Sequence, residues 1–579
     1  MGALMERTQT PAEVTLLDRR SVFISAMCIG LALVTGVVAQ LLVTIIHFVT
    51  NLAYYGRFSV QPASPAGNHL GWLALFVPIV GGVIVGLMAR YGSRAIRGHG
   101  IPEAMEQVLL NESRIPVRVT FLKPLSAAVS IGTGGPFGAE GPIIATGGAM
   151  GSVLGQFVET SALERKTLLA AGAAAGMAAI FGSPVSAVLL AIELLLFELR
   201  PRSIVAVSLA AVTAAAVRIA FVGYVPAFAM PPIQQPSEAA LASYVVLGAI
   251  IGTLSVYVTR VVYWIEDLFE HLPVHWMWWP AIGGIAVGLV GLYAPRTLGV
   301  GYTNIEDLVS GRLLGTAALV LCLMKFISWS ISLGSGTSGG TLAPLLTIGG
   351  GAGIVLGELA ASTLPRAHID VRICALVGMA AMFAGASRAL LASVLFAFET
   401  TLQPLGLLPL LGGCTAGYLV SSLLMRNTIM TEKLARRGVR VPTEYAADFL
   451  SLINVADACT TKVVTVNADD ELGTLRTNDV SHQGFPVVDG NGVLIGVITR
   501  RDVFDLTKPS TLKARQAVTR PPVVIYLDSS LRDAADAMVR EKVGRLPVVA
   551  RGNPRQVVGI LTRSDLLRAH ERRLAQAES

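Results

Sequence analysis

The sequence predicts an all-α polytopic membrane domain built from two inverted repeats, followed by an α/β soluble tail. Three observations carry this. Of 579 residues, 53% are hydrophobic and 14% charged, where an ordinary soluble domain has about 25% charged residues. The apolar part repeats itself at a nearly constant offset, with Gly- and Pro-interrupted segments in matching places, the mark of a transporter-like fold. From about residue 430 the chain returns to regular charge and carries a second, shorter repeat.

Taken in order, residues 1–20 read as an N-terminal cytoplasmic segment. Residues 21–430 read as the membrane domain, with repeats at about 21–225 and 240–430, then 431–453 as a linker and 454–579 as the tail. About eleven apolar blocks fill the membrane part, many of them 18 residues or longer and so able to cross a bilayer. Arg19 and Arg20 precede the first block, and Arg426, Lys433, Arg436 and Arg437 follow the last. The positive-inside rule then puts both termini in the cytoplasm of a cell-membrane protein. The first block, 22–48, is long and lacks a small-residue cleavage pattern, so it reads as a retained helix.

The net charge of +7 sits near segment ends and in the tail, without basic–aromatic interleaving, so no nucleic-acid partner is expected. Cys28, Cys322, Cys374, Cys414 and Cys459 show no paired spacing and the histidines no ligand spacing, which argues against a disulfide framework or a metal site. No nucleophile–base pair or phosphate-binding loop appears, so an enzyme is not expected.

The repeat is best stated by offset. Moving 202 residues maps Pro142 to Pro344, Gly147 to Gly349, Gly151 to Gly353 and Gly155 to Gly357. At 206, Gly172 maps to Gly378 and Glu193 to Glu399. Many of the glycines serve close helix packing in lipid. The runs Gly132-Thr133-Gly134-Gly135-Pro136 and Gly334-Ser335-Gly336-Thr337-Ser338-Gly339-Gly340 are denser than packing requires. Non-helical backbone at membrane depth survives only inside protein or beside a water-filled cavity.

Glu140 lies in Gly138-Ala139-Glu140-Gly141-Pro142, within apolar sequence. A carboxylate there costs roughly 2.5–3.5 kcal/mol on insertion scales. Pro142 marks a helix start, because Pro is tolerated in the first turn. An ionisable group therefore sits at a helix N-terminus, where anions bind. An acid that competes for an anion site points to ion transport.

Two further Gly/Pro starts accompany it: Gly98-His99-Gly100-Ile101-Pro102-Glu103 and Gly340-Thr341-Leu342-Ala343-Pro344. These three starts, with the repeat, resemble the CLC family of chloride channels and chloride/proton exchangers. In that family GxGIP, GxEGP and GxFxP head helices whose N-termini converge on a dehydrated chloride. The resemblance implies that Glu140 is the external gating glutamate and that His99, Gly100, Glu140, Gly141, Thr341 and Leu342 surround the anion. Lys123, seventeen residues before Glu140, matches a buried basic residue of the family; by itself it reads equally as a lysine snorkelling at a helix end.

The departures carry information. His99 stands where the family usually has Ser, and Leu342 where Phe is usual. Met430 stands at the family's anion-coordinating Tyr, and Met has no hydroxyl to donate, so a looser inner barrier is expected. Leu194 stands at the internal proton-carrying Glu of the best-known exchangers, and leucine cannot relay protons. Glu193 and Glu399 read as structural groups that meet charge or capping needs.

In the tail, Gly484-Phe485-Pro486-Val487-Val488 recurs as Arg545-Leu546-Pro547-Val548-Val549. Gly496-Val497-Ile498-Thr499-Arg500-Arg501-Asp502 recurs as Gly559-Ile560-Leu561-Thr562-Arg563-Ser564-Asp565. This resembles a tandem pair of CBS domains, at about 454–510 and 514–570. The resemblance implies that Thr499, Asp502, Thr562 and Asp565 can hold an adenine nucleotide. Read from the residues alone they are helix caps, and both readings stay open.

The expectation is therefore chloride transport gated by Glu140, channel-like or weakly coupled because of Leu194. The alternatives are a chloride/proton antiporter or a pathway for fluoride or nitrate. The partners expected are chloride, with protons in the antiporter alternative, the lipid bilayer and a second copy. The homodimer would have one pathway per subunit and interface helices near 185–220 and 390–425. No cofactor is required. A scaffold that merely retains the fold would have no use for the buried acid at Glu140.

Overall fold

A bilayer offers no water to backbone amides, so a chain that crosses it satisfies them within helices. The structure, a computed structural model, describes residues 18–442, 449–477 and 482–578. Residues 1–17, most of the expected N-terminal segment, and 443–448, part of the expected linker, lie outside the described residues. The chain divides into two compact units, one ending at Tyr445 and one beginning at Ala446.

The first unit contains two sets of eight α-helices. The first set is α1 (Arg19–Tyr55), α2 (Phe76–Leu87), α3 (Ile101–Leu110), α4 (Val117–Gly132), α5 (Glu140–Phe157), α6 (Ala162–Phe181), α7 (Pro184–Ala191) and α8 (Pro201–Val222). The second is α9 (Glu238–Glu270), α10 (Trp279–Tyr293), α11 (Tyr302–Val309), α12 (Gly315–Gly334), α13 (Leu342–Thr363), α14 (Val371–Ser387), α15 (Leu390–Thr401) and α16 (Leu407–Leu424). Among the described residues, eight helices are long and apolar enough to cross a membrane. The helix starts follow local chemistry: Ser161 and Glu164 form a reciprocal cap on α6, and the Ser237 hydroxyl accepts from Ala240 N on α9.

The two sets match helix for helix. In the first, α5 packs on α6 and α1 on α8; in the second, α13 packs on α14 and α9 on α16. Glycines set the contact distances. A methyl at Gly147 would lie 2.1 Å from Gly172 O, and at the matching Gly349 it would lie 2.4 Å from Gly378 O.

The inversion is visible where α2 meets α10. A methyl at Gly82 would meet Pro280 O at 2.4 Å, and at Gly284 it would meet Pro78 O at 2.6 Å. One turn on, Gly86 faces Met277 O and Gly288 faces Leu75 O. Every partner is its counterpart's image at the 202-residue offset, and the order runs antiparallel. A two-fold axis across the helices gives this pattern, as expected of inverted repeats.

Residues 431–442 are not free linker. A short helix, α17 (Glu432–Arg436), follows the last span. Lys433 Nζ lies 3.1 Å from Glu103 Oε1, Arg437 pairs with Glu106, and Arg436 pairs with Asp267. The basic residues read as orientation charges thus also tie the chain to α3 and α9 by ion pairs.

The second unit holds two small mixed sheets. In one, β1 (Val466–Asn467) pairs parallel with β2 (Gly484–Val488), which pairs antiparallel with β3 (Leu494–Thr499). In the other, β4 (Ile525–Tyr526), β5 (Arg545–Ala550) and β6 (Asn553–Thr562) repeat the arrangement. The two halves of the unit meet through a Val493–Gln556 bridge and a cluster of Leu494, Val524 and Val549. Thr499 Oγ1 donates to Asp502 Oδ2 at 2.6 Å, and Thr562 Oγ1 to Asp565 Oδ2 at 2.7 Å. In both repeats these four residues bond each other at the start of the helix that follows the strand.

Candidate functional site

The site is built from three helix starts. Gly100 caps α3 with φ +95°, a backbone state that L side chains rarely adopt, and its amide donates to Glu103 Oε2 at 2.8 Å. Ala139 precedes α5, and Thr341 precedes α13. In each helix a proline within the first turns closes off the helix upstream: Pro102, Pro142 and Pro344.

The structure brings these starts into contact. A methyl at Gly141 would lie 2.4 Å from His99 O and 2.8 Å from Gly340 Cα. Gly138 and Gly340 exchange backbone hydrogen bonds of 3.2 and 2.9 Å, a two-residue bridge between the halves. His99, Gly100, Glu140, Gly141, Thr341 and Leu342 therefore gather at one point, from parts of the chain some 200 residues apart.

Glu140 fills that point and is wholly buried. Its carboxylate folds back over Gly138, where any Cβ would collide with it. Ala343 N donates to Oε1 at 2.7 Å, and the Tyr302 hydroxyl donates to Oε2 at 3.0 Å. A negative group thus occupies the amide-bearing tip of α13, where dipole and orphan N–H groups favour an anion.

Sequence reasoning missed both donors. Ala343 lies one residue beyond the amides expected to serve. Tyr302 is 162 residues from Glu140 and belongs to no motif.

Lys123 is 1% exposed and does not snorkel. Its Nζ donates to Ile96 O at 2.8 Å and Gly98 O at 2.7 Å, anchoring the loop that leads into α3. Lys325, its image at offset 202, donates to Thr297 O and Gly299 O, both at 3.0 Å, anchoring the loop into α11. The repeat register contained that second lysine. Both ammonium groups thus donate to loop carbonyls, Lys123 behind the start of α3 and Lys325 behind the start of α11.

His99 and Thr341 each bury a polar atom, Nδ1 and Oγ1, without a hydrogen-bond partner. Unpaired buried polar atoms are uncommon, and these two lie on the loops that lead into α3 and α13. His99 faces a cavity of about 390 Å³ whose wall includes Arg97, Tyr263 and Ile429. Met430 is wholly buried beside Ile429, whose carbonyl accepts from the Tyr263 hydroxyl at 2.8 Å. Leu194 lies away from the cradle, on a separate cavity of about 1030 Å³ with Glu193, Met105 and Arg388.

Glu193 and Glu399 cap each other's half. Val185 N and Ser186 N, opening α7, donate to Glu399 at 3.0 and 2.8 Å. Leu391 N and Ala392 N, opening α15, donate to Glu193, both at 3.1 Å.

Comparison with known proteins bears on the family. The family model described as "Voltage gated chloride channel" matches residues 80–422, and the CBS domain model matches 455–508 and 514–572. The H(+)/Cl(-) exchange transporter ClcA of Salmonella paratyphi B is 30% identical over 466 residues, 77% of this chain and 93% of that protein. Chloride channel protein CLC-f of Arabidopsis thaliana is 33% identical over 365 residues, 58% of this chain but only 46% of the plant protein. Among solved structures, a slow cyanobacterial Cl-/H+ antiporter superposes with a TM-score of 0.64 at 23% identity, covering 73% of this chain and 98% of that one. A eukaryotic CLC transporter does so with 0.60 at 22%, covering 94% and 97%. At such identities these likenesses speak for the fold. The protein crosses the membrane several times, its family model spans more than half of the sequence, and it belongs to the voltage gated chloride channel family, the CLC proteins, with a pair of CBS domains behind the membrane part.

Proposed function

We propose that this chain moves chloride across a cell membrane through a pathway stopped by Glu140, and that the movement is channel-like or weakly coupled to protons. One observation carries the reading: the Glu140 carboxylate sits on the donors that an anion would need, so carboxylate and chloride exclude each other. Leu194 supports weak coupling, because no acid stands at that position to hand protons inward. The second reading, chloride/proton antiport, rests on the 1030 Å³ cavity that reaches Leu194, since water filling it could carry protons without a side chain.

Chloride efflux from liposomes containing the purified protein tests transport, and the reversal potential under a proton gradient separates the two mechanisms. A potential that ignores pH supports the channel reading; one that follows the proton gradient replaces it with antiport. Absence of chloride flux from folded protein overturns both. Fluoride and nitrate in the same assay define the anion.

The remaining parts fit the same reading. Apolar residues on α7, α8, α15 and α16, such as Val185, Val212, Leu391 and Leu419, stand exposed and would cover each other in a homodimer. Both termini are proposed to face the cytoplasm. Thr499, Asp502, Thr562 and Asp565 would release their mutual hydrogen bonds to take an adenine nucleotide, with no cofactor needed for transport itself.

A further inference from the structure

Met430 leaves the anion without the hydroxyl donor that other members of the family supply from that position, yet another hydroxyl of the same repeat, that of Tyr302, does reach the cradle. We propose that the Tyr302 hydroxyl is an anion ligand of the transport site, passed between the Glu140 carboxylate and the transported anion. This rests on the reading of the Glu140 cradle as the anion site.

The geometry supports it in three steps. First, Tyr302 and Ala343 hold the two oxygens of one carboxylate, at 3.0 and 2.7 Å. An anion that displaces Glu140 enters the space between the same two donors, and a phenol O–H donates to an oxyanion or a halide as it does to a carboxylate.

Second, the ring is held in place before any anion arrives. Its centroid lies 5.4 Å from that of Phe181 and 6.1 Å from that of Phe228, and Phe181 meets Phe396 edge-on at 4.9 Å. Aromatic groups from α6, α15 and the segment joining the halves thus fix the phenol. A donor fixed in advance loses little freedom on binding.

Third, the backbone that carries Tyr302 is itself anchored. Lys325 grips Thr297 O and Gly299 O, and Gly301 turns the chain at φ +75° into the first residue of α11. The hydroxyl is thereby presented to Glu140 Oε2 from a backbone that is fixed on both sides.

Carboxylate and anion compete for the same phenol, so removing it weakens both, and transport by the single variant cannot separate the two effects. The informative background is Glu140→Ala, where only the anion remains. Chloride is titrated calorimetrically into the purified full chain carrying Glu140→Ala, with and without Tyr302→Phe. The expected result is a fall in chloride affinity of roughly ten-fold or more, the ordinary effect of one hydrogen bond to a charged group. Equal affinity in the two variants would show that Tyr302 only latches Glu140, and the proposal fails. No chloride binding by Glu140→Ala alone would remove the anion site itself, and with it the proposed function. If Tyr302→Phe does not fold, a ring-fluorinated tyrosine at 302, a stronger donor of unchanged shape, is expected to raise chloride affinity, and no change there overturns the proposal.

Discussion

Replacing Glu140 with Gln converts a competition between two anions into one between an anion and a neutral amide. The ionised carboxylate accepts two hydrogen bonds, from Ala343 N and the Tyr302 hydroxyl. Each bond to a charged group contributes about 1.5–3 kcal/mol, against about 0.5–1.5 kcal/mol for a neutral pair. Gln keeps one acceptor oxygen and turns an amide N–H toward the other donor, so it retains at most one neutral bond. The difference is about 3 kcal/mol, and the burial penalty, which only the charged wild-type group bears, cancels part of it. A net loss of about 1.5–3 kcal/mol in plug strength remains, which is roughly 10- to 150-fold in apparent chloride affinity, since every 1.4 kcal/mol is tenfold. Chloride titration of wild type and Glu140→Gln at pH 7.5 and pH 4.5 measures it. The variant is expected to bind chloride more tightly at pH 7.5. The gap is expected to close on acidification, because protonated glutamate resembles glutamine. Equal affinities at both values, or a gap that ignores pH, would refute the argument that Glu140 and chloride share one site.

Three other outcomes follow from the structure. Lys325→Met strands two loop carbonyls at a cost of about 1–3 kcal/mol each, so the variant should melt several degrees lower and lose chloride affinity, and Lys123→Met should behave alike. Glu399→Gln and Glu193→Gln each replace a charge-assisted pair of amide bonds and should lower stability by about 1–2 kcal/mol apiece, nearly equally, as read by thermal unfolding; a large inequality would contradict the two-fold correspondence. In the tail, burial raises the Asp502 carboxyl, but the Thr499 hydroxyl and amide and the Lys508 ammonium together bring it below its ordinary value. A group so depressed stabilises the fold above its unfolded pKa, about 3.9, and loses that contribution as pH falls through the folded value. The difference in tail unfolding between wild type and Asp502→Asn should therefore be present at pH 7 and shrink below about pH 4.

Much of this was legible because membrane helices leave strong marks. Gly/Pro starts, a lone acid in apolar sequence and a constant offset are local or periodic signals, and α3, α5 and α13 do begin at the three starts. The offset also held Lys325, one step beyond the residues compared. Tyr302 left no trace, because its role depends on a ring packed among Phe181, Phe228 and Phe396, which only tertiary structure brings together. The docking of α17 was hidden for a related reason: Lys433 and Arg437 look like orientation charges until Glu103 and Glu106 are seen opposite them. Lys123 was ambiguous because a cation at a helix end and one bonded to a buried loop look identical along the chain.

The crossed carboxylates of Glu193 and Glu399 constrain how the molecule can work. Each half surrenders an acid to the other's helix start, and α2 locks into α10 through glycines that leave no slack between backbones. Rocking one half against the other would tear four amide bonds and unseat that lock at once. The swing of single side chains would cost none of these bonds, so the frame favours opening by that route over parting of the halves.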